Sequence, residues 1–101
     1  MNVFITGVAG FIGFNSAMSL LKKKNNVYGI DIFDKYYSTK LKINRLKKLK
    51  LNKNFYFKKI DLTNKNKLFN FLKNKKIDII IHYAAQPGVR YSFINPSKYI
   101  D

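Results

Sequence analysis

Thr6-Gly7-Val8-Ala9-Gly10-Phe11-Ile12-Gly13 is the stretch that decides how this chain is read. Before it, Asn2-Val3-Phe4-Ile5-Thr6 is a short β-rich apolar run ended by glycine, which predicts a buried strand. After it, from Phe11 to Lys24, apolar residues at Phe11, Phe14, Ala17, Met18 and Leu21 recur at helical spacing and give way to lysines and Asn25. Glycines between a strand and a helix have a physical reading. The chain must turn tightly at Gly7, the backbone must let a ligand approach closely at Gly10, and at Gly13 the helix packs with no side chain between it and the strand. Unpaired N–H groups at the helix start, with the positive end of the helix dipole, then form an anion site. The strand before and the helix after are the context that separates a dinucleotide-pyrophosphate turn from a merely structural one.

Working outward, apolar runs and amphipathic stretches alternate to the end of the chain. Asn26 to Asp31 predicts a second strand, and residues 32 to 39 a loop. From Thr39 to Leu51 a lysine-rich helix carries Leu41, Leu46 and Leu49 on one side, with Ile43 less well placed. Phe55 to Ile60 predicts a third strand, Asn64 to Lys73 a third helix, and Ile77 to His82 a fourth strand, nearly all β-branched as in a strand covered on both faces. Asn95-Pro96 then reads as a helix cap with proline at the first helical position. The order β-α-β-α-β-α-β, followed by the start of a further helix, predicts an α/β fold: a parallel sheet with right-handed crossovers and helices on both faces. Four such strands are about half of a doubly wound Rossmann fold. Residues 1–101 thus read as one partial domain, with an apolar sheet edge beyond the first and fourth strands left open and prone to aggregation.

Composition narrows the classes. The chain has 101 residues, 47% of them hydrophobic, and no cysteine, which excludes disulfides and thiolate chemistry. No apolar run approaches the roughly 18 residues of a membrane span, and no basic segment precedes the first apolar run as in a signal peptide. One histidine and few carboxylates argue against a metal site. The net charge of +15 comes from 20 basic residues, of which only Arg45 and Arg90 are arginine. Specific phosphate or base readout favours the planar arginine fork, so this excess reads as solvated lysine and not as a specific nucleic-acid surface. The Phe55-Tyr56-Phe57 run reads as core, not as a base-stacking platform.

Asp31 ends the second strand, 18 residues past Gly13, where a carboxylate would accept hydrogen bonds from adenosine ribose hydroxyls and repel a 2′-phosphate, favouring NAD over NADP. Asp61-Leu62, at the same sheet edge, would serve the adenine or cap the next helix; both readings stand.

With these residues in view, the spacing Thr6-Gly7-x-x-Gly10-Phe11-Ile12-Gly13 resembles the extended short-chain dehydrogenase/reductase family, which acts on nucleotide sugars. The segment from His82 to Ser92, with its Ala84-Ala85-Gln86-Pro87-Gly88-Val89-Arg90, resembles the corresponding loop of UDP-glucuronate 4-epimerases. Asp34-Lys35-Tyr36-Tyr37 and Asn95-Pro96-x-x-Tyr99-x-Asp101 look like the same subfamily. By position, the resemblance implies that Gly7, Gly10, Phe11, Ile12 and Gly13 line the NAD pyrophosphate, that Asp31 takes the ribose, and that Asp61 and Leu62 take the adenine. Ala84 and Ala85 would meet the nicotinamide-side ribose and phosphate, and Gln86 and Arg90 would face the sugar. Arg90 also reads independently as a bidentate partner for a uronate carboxylate or sugar phosphate, or as an exposed loop cation. His82 reads as a structural strand-end residue.

The resemblance further implies a cytoplasmic, homodimeric full-length enzyme that inverts the sugar C4 through a 4-keto intermediate. Its catalytic Tyr and Lys, with a Ser or Thr, would lie beyond residue 101, leaving this chain without catalytic residues of its own and inactive alone. Tyr36-Tyr37-Ser38-Thr39-Lys40 contains a Tyr-x-x-x-Lys string, but it lies at the ribose end of the cofactor and is read as a decoy. A nucleotide-sugar 4,6-dehydratase or decarboxylase, or a non-catalytic NAD-binding module, are the alternatives.

Overall fold

The computed structural model describes residues 1–32, 39–83 and 90–93. Among these residues, five strands and three helices follow in the order β1 (Asn2–Thr6), α1 (Phe11–Lys22), β2 (Asn26–Asp31), α2 (Thr39–Leu49), β3 (Phe55–Lys59), α3 (Lys65–Leu72), β4 (Ile79–His82) and β5 (Arg90–Phe93). The sheet runs β3-β2-β1-β4-β5. The first four strands are mutually parallel, as the alternation of strands and helices requires, and β5 joins β4 antiparallel.

Period-2 alternation along β1 divides the core in two. Val3 and Ile5 face α1 and α2, packing with Ala17, Leu21, Leu46 and Leu49. Phe4 faces the other side with Tyr28, Ile30, Ile60 and Leu72 of α3. Helices therefore cover both faces of the sheet, and β1 and β2 are buried nearly end to end. β3 lies at the sheet edge and alternates, with Phe55 buried and Tyr56 44% exposed. Tyr56 is thus not core, contrary to the expectation; it stacks on Tyr28 with centroids 4.7 Å apart and planes at 12°.

Among the differences from the sequence reading, two boundaries and one helix face have a local reason. α1 ends at Lys22 and not Lys24, because Lys24 takes a left-handed φ of 64°. Its N–H reaches the Leu21 carbonyl and that of Asn25 the Leu20 carbonyl, a Schellman closure built on lysine in place of glycine. β4 begins at Ile79, after Asp78 has spent its side chain on the Asn2 N–H at 2.8 Å. In α2 the inward stripe is Lys42, Arg45, Leu46 and Leu49, with Leu41 53% exposed. Two cations stand where the pattern of leucines alone put apolar packing.

The larger correction is β5. Residues 90–93 were read as part of a loop, and the edge beyond the first and fourth strands as open. β1 instead sits inside the sheet between β2 and β4, and the outer edge of β4 pairs with β5, His82 opposite Arg90. A four-residue strand with one β-branched or aromatic pair, Tyr91 and Phe93, carries too little pattern to be seen in advance. The further helix read at Asn95-Pro96 lies outside the described residues. No helix among the described residues is long and apolar enough to cross a membrane.

Candidate nucleotide site

The strand order reverses between β1 and β4, and the carboxyl ends of Thr6, Asp31 and His82 line one edge of the sheet there. In open α/β sheets this is where ligands bind. A cleft of 310 Å³ opens at that edge, lined by Thr6, Gly7, Ile30, Asp31, Ile32, Ile60, Asp61, Leu62 and His82. The three residues read as holding adenosine, Asp31, Asp61 and Leu62, converge on it with Gly7.

The glycine turn is built as its sequence demands. Gly7 takes a left-handed φ of 68°, and its carbonyl accepts the Gly10 N–H at 3.1 Å. The same carbonyl explains Gly13. A Cβ there would collide with the Gly7 oxygen and stand 3.0 Å from the Gly7 carbonyl carbon and 3.1 Å from the Val8 Cα. Gly13 thus packs α1 against the turn itself, a closer apposition than the strand contact expected. Gly10 is the N-cap of α1 and has no side chain to cap it, so the amides of the first turn, Phe11 to Gly13, have no partner inside the helix. Phe11 and Ile12 are 68% and 59% exposed. Large apolar side chains left in water at a helix N-terminus suit a surface that a ligand covers.

Asp31 is buried and accepts from three donors. Its Oδ2 accepts the Ala9 N–H at 2.8 Å, and its Oδ1 accepts the Ile32 N–H at 2.7 Å and the Lys42 Nζ at 2.9 Å. The Lys42 ammonium also donates to the Ile32 carbonyl at 3.0 Å. One turn along α2, Arg45 Nη1 donates to the Ala9 carbonyl at 3.0 Å. Both cations escaped the sequence reading. The available signal was their i, i+3 spacing on one helix face beside Leu46 and Leu49, and arginine standing where lysine is the rule.

Of the two readings of Asp61, the helix cap is not what the structure shows. The cap of α3 is Asn64, whose side chain accepts the Lys67 N–H at 3.2 Å. Asp61 Oδ1 instead accepts the N–H and hydroxyl of Thr63, both at 2.9 Å, closing the turn that precedes the helix. Those two donors hold its carboxyl below the usual aspartate range, the backbone one foremost. His82 is tied across the β1–β4 boundary, Nδ1 lying 2.6 Å from Thr6 Oγ1, which also accepts the Tyr83 N–H at 3.0 Å. Tyr83 reaches back to α1, its hydroxyl 2.7 Å from Ser16 Oγ. Ala84, Ala85 and Gln86 lie outside the described residues, as does the Tyr36 of the decoy string; Arg90 is placed by its backbone in β5.

Fold and cleft together are those of a Rossmann-type nucleotide-binding fold. The GDP-mannose 4,6-dehydratase family model matches residues 4–101, and the chain belongs to that family. Among its relatives, the UDP-glucuronate 4-epimerase of Thermodesulfobacterium geofontis is 43% identical over 97 residues, 96% of this chain and 30% of that one. Protein CapI of Staphylococcus aureus is 43% identical over 101 residues, 100% of this chain and 30% of its own length. Of solved structures, the Bacillus cereus UDP-glucuronic acid 4-epimerase, in complex with UDP-glucuronic acid and NAD, superposes with a TM-score of 0.75 at 38% identity, over 87% of this chain and 27% of that one. The dTDP-glucose 4,6-dehydratase of Bacillus anthracis, in complex with NAD, gives 0.73 at 28% identity, over 85% and 27%. The chain spans about 30% of the length of the curated relatives it matches.

Proposed function

We propose that this chain is the NAD-binding part of a nucleotide-sugar 4-epimerase acting on UDP-glucuronate or a similar UDP-sugar. One observation carries the reading: a cleft at the switch point brings together Gly7 of the glycine turn, Asp31, Asp61 and Leu62. These residues fit a dinucleotide. The left-handed Gly7 sets the turn, Gly13 lets α1 pack against it, and Gly10 carries no side chain to cover the first-turn amides of α1, against which a pyrophosphate would lie. The Asp31 carboxylate offers remaining acceptor capacity to ribose hydroxyls and disfavours a 2′-phosphate. Asp61 and Leu62 form the adenine wall. Ala84 and Ala85 take the nicotinamide-side ribose and phosphate, and Gln86 and Arg90 take the sugar.

NAD bound here supplies the acceptor for the C4 hydride of the sugar. This chain's residues bind and orient it, and the catalytic tyrosine, lysine and Ser or Thr belong to the remainder of the whole protein, a cytoplasmic homodimer. The lower identity of the dehydratase structure, 28% against 38%, places that activity second.

Calorimetric titration of the chain with NAD and NADP at physiological salt tests the reading. Binding of NAD in preference to NADP is expected. Equal affinity for both, or binding of neither by a chain shown to be folded, overturns it.

A further inference from the structure

Ala9 is fully buried, so water cannot satisfy its backbone. Its N–H goes to the Asp31 carboxylate at 2.8 Å and its carbonyl receives the Arg45 guanidinium at 3.0 Å. One residue of the glycine turn is therefore held at both ends by side chains of opposite charge, one from β2 and one from α2. Charge-assisted hydrogen bonds of this kind are the stronger sort. The same guanidinium lies over the Phe11 ring, 5.9 Å from its centroid, so Arg45 touches the chain on both sides of Gly10. Gly10 has the extended conformation, φ −70° and ψ 164°, from which α1 starts.

We propose that Arg45 is a positioning residue of the nucleotide site: it fixes the Ala9–Gly10 segment so that the first-turn amides of α1 are aimed at a diphosphate before one arrives. The inference rests on the NAD reading for its ligand, though not for the geometry. Arginine suits the position because one planar group donates to a carbonyl in its plane while its face lies on an aromatic ring; lysine, a point charge on a flexible stem, has no plane to stack as it donates. A turn held in advance spends no binding free energy on ordering itself.

Two measurements on the chain and its Arg45→Ala and Arg45→Lys variants test this. Hydrogen exchange without ligand should quicken at the Ala9 and Gly10 amides in Arg45→Ala, with the β1 and β2 amides Phe4, Ile5 and Val27 unchanged. Titration should show NAD affinity falling by about tenfold in Arg45→Ala, the scale of a small misplacement of binding groups, and partly restored in Arg45→Lys. Affinity for adenosine, which has no phosphate, should stay the same. Unchanged exchange at Ala9 and Gly10, or equal weakening of NAD and adenosine, overturns the proposal. If the unsubstituted chain binds no NAD, the nucleotide reading fails, and the exchange result alone decides whether Arg45 pins the turn.

Discussion

Asp31 Oδ2 accepts the N–H of Ala9 at 2.8 Å, joining the end of β2 to the middle of the glycine turn. The carboxylate that the sequence assigns to ribose recognition is therefore also a structural tie. Removing it with alanine would strand the Ala9 and Ile32 amides and take one acceptor from the Lys42 ammonium, and lost nucleotide binding would then say little about the ribose. Asp31→Asn keeps the shape and one acceptor but sets an NH₂ against a donor. It should lower stability by about 2 kcal/mol and NAD affinity by tenfold or more. Denaturant unfolding gives the first figure, and calorimetry well below the melting temperature gives the second. Full NAD affinity in a stably folded Asp31→Asn chain would remove Asp31 from the ribose site.

Gly13→Ala should be among the most damaging single-carbon additions in the chain. The added methyl meets the backbone of Gly7 and Val8, which no rotamer change relieves. A loss of about 3 kcal/mol is expected, read as a lowered denaturation midpoint. A midpoint within error of the unsubstituted chain would mean that α1 stands farther from the turn.

Lys24→Gly should stabilise. A β-carbon at φ 64° is strained, while the closure itself uses only backbone groups. Relief of the strain, less the extra freedom of glycine in the unfolded chain, leaves a gain of about 0.5 kcal/mol. A lower melting temperature in the variant would contradict it.

Stability should bend at both ends of the pH scale, for different residues. Asp61 has a folded-state pKa below its unfolded one because of the two Thr63 donors. Its contribution is thus present above the ordinary aspartate range and lost as pH falls through the folded value. Thr63→Val, which removes the hydroxyl donor, should flatten the acid limb of stability against pH.

Tyr28 behaves oppositely. Burial, and then Tyr56 beside it, raise its pKa. Its contribution is present below the ordinary tyrosine value of about 10 and lost as pH climbs through the folded value. Tyr28→Phe should flatten the alkaline limb; an alkaline limb identical in slope would assign that transition to other groups.

Much of the fold was legible because its cues are local and strong. The β-branched runs and the glycine turn each announce an element from a few neighbouring residues. What escaped is set by partners far along the chain. Lys42 and Arg45 read as solvated lysine-helix residues until Asp31 and Ala9 are brought beside them, and no helical periodicity encodes that meeting. Tyr56 leaves the core because β3 is an edge strand, a fact of strand order. β5 is short, and its pairing is a property of β4.

Among the described strands, β1 comes first in the chain and lies at the centre of the sheet. It gains β2 early, but its other neighbour arrives only with β4, and Asn2 waits 76 residues for the Asp78 side chain that receives its N–H. Such distant closures make folding slow. Until residues 79–82 have been synthesised, the middle of the finished sheet is an exposed edge, and that interval is when the nascent chain most needs protection from other strands.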